Sequence, residues 1–286
     1  MKYSKKRVAI VIPIYKTALS EDDGISLRHL DQYLVNYEKI FIAPVGLIPP
    51  RSDYRIEYFK SSYFQNTATY SKLMMSCEFY ERFLPYEYIL IYQLDCLVFS
   101  DQLEEWCSKG FDYIGAPWIN ASWIISEGFR HCEQTGVGNG GFSLRKVESH
   151  LQTLRIYYNF PNRFVFFFRK KILFLKMLSF PYNFFAGIRH ILREKRFLGI
   201  KEIAQQKIAK LAQTADKHFS VEDVFWSFEA PQINKAFRIP DASIAVQFAF
   251  ESRPEVCLQR NANRLPFGCH GWVQYKNFWS KYYSNL

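Results

Sequence analysis

Residues 88–92 (YILIY) form an unbroken apolar run that ends at Gln93-Leu94-Asp95. A run this short, with no polar alternation, suits a strand covered on both faces, and layered α/β folds cover both faces of a sheet. Residues 8–14 (VAIVIPI) and 39–44 (KIFIAP) repeat the pattern, and 55–59 and 113–116 are weaker candidates. Helices are expected between them. One covers 27–35 and a second covers 69–83, where Leu73, Met74, Cys77 and Tyr80 recur at helical spacing before Pro85. A short third helix covers 101–107, with Asp101 as its N-cap. This alternation predicts a mostly parallel, doubly wound central sheet flanked by helices.

The second half is less regular. It holds a glycine-rich turn at 136–141, a polar helix near 201–215, a segment at 221–229 and a closing loop at 266–279. Neither a repeat nor a low-complexity linker interrupts the chain. A single domain over 1–286 is expected, divided into halves at 118, with a basic helical insertion over 161–215.

Charge locates that insertion. Residues 163–201 hold ten Lys/Arg and one acid, Glu194, so +9 of the net +10 falls in this one stretch. A local basic patch implies a local anionic partner. Within it Ile188, Ile191 and Leu192 share one helical face while Arg189, Arg193 and Arg196 lie on another, a pattern that suits an interfacial helix on anionic lipid. A solvated helix packed on the core is the plainer alternative. Nucleic acid is not expected, because no recognised nucleic-acid-binding motif is present. The six cysteines show no CxxC pair and no metal-ligand spacing, which fits a reducing compartment. Lys2, Lys5, Lys6 and Arg7 precede Val8, but Pro13 and Lys16 break the apolar run, so a first buried strand is expected rather than a signal peptide. No apolar stretch reaches the ~18 residues a transmembrane helix needs.

Four places carry candidate chemistry. Asp95 follows the strongest strand, and ligands of open α/β sheets bind beyond the carboxyl ends of strands; a carboxylate there could hold a divalent ion, or simply cap a turn. Pro13 and Tyr15, where the first strand runs out, fall at the same edge. His270, between Gly268 and Gly271, could complete a metal shell or be structural. Glu222-Asp223 precede Val224-Phe225-Trp226; an acid there could serve as a general base or could complement the helix dipole. Gly138-Asn139-Gly140-Gly141 could be a plain Asn-Gly turn or a loop that contacts a sugar.

Taken together, the strand ending in Asp95 and the segments YIGAPW (113–118), VGNGGFSLR (137–145), VEDVFW (221–226) and PFGCHGW (266–272) resemble an uncharacterised bacterial glycosyltransferase-like family, over roughly 7–160 and 218–280. The resemblance implies a GT-A fold with a nucleotide-binding half, 1–118, and an acceptor-binding half, 119–286. It implies a nucleotide-sugar site at Pro13, Tyr15, Asp95, Gly138, Asn139, Gly140 and Gly141. It further implies Mn²⁺ or Mg²⁺ on Asp95 and His270, and a base at Asp223 with Glu222 capping or orienting it. The family's Asp-x-Asp is here Asp95-Cys96-Leu97, so the second carboxylate is missing.

The expected activity is transfer of a hexose from a UDP-sugar, with inversion, to a hydroxyl of a lipid-linked or polysaccharide acceptor. The setting would be bacterial surface-glycan synthesis, at the cytoplasmic face of the membrane. A nucleotidyltransferase is the enzymatic rival, but its Gly-rich, Lys-bearing phosphate loop is absent from 8–19. The missing second Asp leaves room for a catalytically inactive scaffold of a glycan assembly complex.

Overall fold

The computed structural model describes residues 5–119, 136–159 and 221–283. The chain divides into two compact units, Met1–Leu154 with Val221–Leu286, and Arg155–Ser220. The expected basic insertion at 161–215 and its membrane face at 163–201 lie outside the described residues.

The first unit is built on a six-stranded sheet in the order β3-β2-β1-β4-β7-β6. Strands β1 (Lys6–Pro13), β2 (Glu38–Pro44), β3 (Arg55–Phe59) and β4 (Tyr86–Tyr92) run parallel. β7 (Phe142–Lys146) lies antiparallel to β4, and β6 (Tyr113–Ile114) antiparallel to β7. The mostly parallel α/β sheet read from the sequence is what forms. Ile10, Ile12, Leu90 and Ile91 are fully buried, as expected for central strands covered on both faces.

Two features of this sheet place the site. Strand order reverses between β1 and β4, so a crevice opens there beyond their carboxyl ends. Because β7 is antiparallel to β4, its entry is paired with the exit of β4 at Tyr92–Phe142, and Gln93 N donates to Gly141 O at 3.0 Å. The glycine loop is thereby delivered to the same edge as Asp95.

A small second sheet completes the edge, in the order β5-β9-β8. β5 (Leu97–Val98) begins two residues after Asp95, β8 (Ala249–Phe250) is followed by Glu251, and β9 (Gly268–Cys269) is followed by His270. β8 and β9 are parallel, so the residues that follow them are neighbours. An added Cβ at Gly268 would sit 2.3 Å from the Phe142 ring, so this close sheet-on-sheet packing requires glycine there.

The helices depart from the sequence reading in instructive ways. α1 spans Glu21–Tyr33 and starts six residues before the apolar pattern, because Ser20 and Asp23 form a capping box. The single helix expected over 69–83 is two, α2 (Thr67–Met74) and α3 (Cys77–Arg82). Ser76 breaks it, its hydroxyl accepting from Phe79 N at 3.1 Å as the N-cap of α3. α4 spans Leu103–Ser108 with Gln102 as its N-cap; Asp101 accepts instead from the Tyr37 hydroxyl at 2.9 Å.

Candidate active site

A cleft of about 510 Å³ lies at the β1/β4 crevice. Four segments line it: Pro13 to Lys16 at the end of β1, Asp23 of α1, Phe64 to Thr67 with Tyr70 at the start of α2, and Gln93 to Asp95 after β4. Pro13, Tyr15 and Asp95 are therefore brought to one cavity. Lys16 pairs with Asp23 of α1 across its floor.

His270 lies beside two residues that line this cleft, Asp95 and Gln93. Its Nε2 lies 3.4 Å from Asp95 Oδ1 and 3.2 Å from Gln93 Oε1, and its Nδ1 lies 3.4 Å from Glu251 Oε1. Burial opposes a charge on the imidazole, but the hydrogen bonds and charges of Asp95 and Glu251 outweigh it and lift its pKa to about 10. Burial would likewise raise Asp95, yet the bond to His270 holds it below the usual carboxylate range.

The expected divalent ion can be tested against these atoms. Among the described residues no three His, Cys, Asp or Glu side chains are grouped to hold a metal. Leu97, where the second carboxylate would stand, is fully buried and carries no donor, and the Cys96 thiol between it and Asp95 turns to Gly141 O at 3.3 Å, so neither offers a ligand to the cleft. Asp95 and His270 do fit as two ligands. Their donor atoms are 3.4 Å apart, and Glu251 Oε1 stands 3.4 Å from the far ring nitrogen, on the side where carboxylates sit behind metal-bound histidines.

The glycine loop separates this edge from a buried polar cluster. An added Cβ at Gly141 would meet His270 Nε2 at 2.2 Å, and one at Gly140 would meet Glu222 Oε1 at 2.1 Å. Gly138, at φ +149°, adopts a conformation that favours glycine, and a Cβ there would meet Ser227 Oγ at 1.8 Å. Asn139 is buried. Its Nδ2 donates to Glu251 at 2.5 Å and its Oδ1 accepts from Gly141 N at 2.8 Å, so its side chain braces the loop.

Behind the loop, Glu222 accepts from Arg145 Nη2 at 3.0 Å, with both side chains buried. Arg145 also donates to Gly140 O, Ser143 Oγ and the Tyr80 hydroxyl, which satisfies the guanidinium away from water. Glu222 and Asp223 open a helix, α6 (Glu222–Val224 after α5, Val147–Tyr158), which runs into a π-helical turn at Phe225–Glu229. The π-turn is of the kind that recurs at functional sites. Burial first, then the charges of Glu222 and Glu251, push Asp223 up to about 8. A carboxyl so poised is basic enough to take a hydroxyl proton near neutral pH.

Four residues of the site escaped the sequence reading. Glu251 ends an apolar run (AVQFAF) just as Asp95 does, and that shared signal could have found it. Arg145 closes the VGNGGFSLR segment and Gln93 sits two residues before Asp95. Lys16 carries no local signal beyond its nearness to the end of β1.

The family described as "Protein of unknown function (DUF5672)" matches residues 53–270. None of the curated proteins matches the chain. Among solved structures, core-mannan synthase A from Aspergillus fumigatus, in a Mn/GDP form, is similar at 12% identity and a TM-score of 0.34; 57% of this chain aligns with 66% of that one, just under two thirds of its length. The galactosyltransferase LgtC, in complex with donor and acceptor sugar analogs, is similar at 10% identity and a TM-score of 0.43, over 92% of this chain and 86% of its own. An active-site mutant of LgtC aligns over the same shares at 11% identity and a TM-score of 0.43. At these TM-scores the likeness is one of general outline.

Proposed function

We propose that this chain, which belongs to the DUF5672 family, is a glycosyltransferase that moves a hexose from a nucleotide sugar to an acceptor hydroxyl. The observation that carries the reading is the cleft at the β1/β4 switch point, lined by Asp95 with His270 beside it at 3.4 Å. The β1 edge with Pro13 and Tyr15 receives the nucleotide, and Asp95 faces the diphosphate. Gly138, Asn139, Gly140 and Gly141 shape the sugar site through the loop that Asn139 braces. Asp223 takes the proton of the acceptor hydroxyl. The acceptor oxygen bonds to the anomeric carbon as its bond to the nucleotide diphosphate breaks, with inversion. Glu222, fixed by Arg145, holds Asp223 in place and raises its basicity. Mn²⁺ or Mg²⁺ on Asp95 and His270 would neutralise the departing diphosphate.

The finer assignments rest on the sequence. They are UDP as the nucleotide, a lipid-linked or polysaccharide acceptor, bacterial surface-glycan synthesis, and halves of 1–118 and 119–286 for nucleotide and acceptor. The basic stretch 163–201 supports a peripheral place on the inner face of the membrane, and salt-sensitive sedimentation with anionic but not neutral vesicles checks it. Among the described residues, no helix is long and apolar enough to cross a membrane.

Release of free nucleotide diphosphate from a panel of nucleotide sugars, with and without glycan acceptors, tests the reaction. Acceptor-dependent release that Asp223→Asn abolishes is the expected result. Release equal in the wild type and this variant would remove Asp223 from the chemistry.

A further inference from the structure

Building on the nucleotide-sugar reading above, we propose that Gln93 is the third protein donor of the divalent cation, and that the cation is held well only together with the nucleotide diphosphate. Asp95 and His270 supply two donors, and Cys96 is turned away into the core. The side chain that completes the group lies two residues before Asp95. Gln93 Oε1 is 3.2 Å from the same His270 Nε2 that stands 3.4 Å from Asp95 Oδ1. Neighbouring ligands of an octahedral ion with bonds of ~2.1 Å stand about 3 Å apart, so these atoms are spaced for a shared cation. Amide oxygens are ordinary ligands of hard cations.

The surrounding structure keeps the Gln93 side chain in this position. Its backbone is tied to the glycine loop through Gly141 O at 3.0 Å. A Cβ on Gly141 would crowd His270 Nε2 at 2.2 Å and Gln93 Oε1 at 2.8 Å together, so the absence of a side chain there clears space at both donors at once. Glu251, fixed by Asn139 at 2.5 Å, stands 3.4 Å from the far nitrogen of the imidazole.

Charge gives the second half of the proposal. Gln93 and a metal-bound imidazole are neutral donors, so Asp95 is the anionic one of the three. One negative charge offsets half of a divalent cation's charge, and the diphosphate oxygens supply the remainder. A carboxylate at position 93 would remove this dependence.

Mn²⁺ binding to the full chain, followed by loss of its free-ion electron paramagnetic resonance signal, tests both parts. Titrations run with no nucleotide, with UDP and with GDP, on wild type, Gln93→Ala and Gln93→Glu, with circular dichroism to verify folding. Wild type should bind Mn²⁺ about tenfold or more tightly with the matching nucleotide. Gln93→Ala should weaken that ternary binding roughly 10–100-fold, the range seen when a metal site loses support. Gln93→Glu should tighten Mn²⁺ in the absence of nucleotide. If a nucleotide binds but both variants hold Mn²⁺ as the wild type does, Gln93 is no ligand and the proposal fails while the nucleotide-sugar reading survives. If neither nucleotide binds, with Mn²⁺ or without it, the nucleotide-sugar reading itself falls and the coupling falls with it.

Discussion

Asp95, at the cleft, leaves 40% of its side chain exposed, whereas Glu222, behind Gly140, leaves 7% and Arg145 leaves none. The two clusters are separated by little more than a pair of glycines, yet they handle charge differently. At the cleft Asp95 faces solvent and can exchange partners with a ligand. Behind the loop the charges are sealed, and a buried ion pair survives there because every guanidinium nitrogen finds an acceptor. The contrast teaches a division of labour. On the proposed reading the open edge binds what comes and goes, while the charge of Glu222 in the sealed cluster raises the basicity of Asp223.

Asp223 is the base on the proposed reading, and changing it should have the largest effect. Asp223→Asn should lower turnover ~10²–10⁴-fold, the usual contribution of a general base, while nucleotide-sugar binding stays intact. Steady-state transfer with parallel calorimetry measures both. Normal turnover in this variant, with Glu222→Gln inactive, would reverse the two roles.

The sealed cluster should answer in stability. Arg145→Met leaves Glu222 buried without its counter-charge and should cost about 3–5 kcal/mol in denaturant unfolding. Asp95→Ala, at the exposed edge, should cost less than about 1 kcal/mol and should instead weaken nucleotide diphosphate binding. Similar stability losses in the two variants would erase the distinction between the regions.

The subtlest consequence is a pH dependence. Asp223 has a folded pKa of about 8 against an ordinary 3.8, so the folded chain binds the extra proton between those values. Its contribution to stability is therefore present below 3.8 and is lost as pH rises toward 8. Turnover should move the other way and rise with pH toward a plateau above about 8, since the base must be deprotonated. Asp223→Asn should flatten the stability slope over this window. Melts and rates across pH measure the two curves.

The sheet was legible in the sequence because buried parallel strands leave continuous apolar runs, and the site inherited that legibility wherever a residue directly follows a strand. Asp95 was singled out in this way and His270 by the glycines that flank it, and the two lie 3.4 Å apart. The boundaries that failed were set by local side-chain bonds. Ser76 caps α3 and splits a helix that apolar spacing alone made continuous. The buried pair of Arg145 and Glu222 was invisible because 77 positions separate its members and neither flank announces a partner. Gln93 was passed over for a chemical reason, since an amide joins a cation site only when the fold brings other donors to it.

The central claim is that the β1/β4 cleft binds a nucleotide sugar at Asp95. Thermal unfolding of the wild type and Asp95→Ala across a panel of nucleotide sugars, with Mn²⁺ throughout, tests it most directly. A ligand at 100 times its Kd adds about 2.7 kcal/mol to the native state, which is a readily measured rise in Tm. The account predicts that at least one nucleotide sugar raises the Tm of the wild type and that Asp95→Ala, folded and otherwise normal, loses most of that rise. A wild type that no nucleotide sugar stabilises, or a rise undiminished in Asp95→Ala, would contradict it.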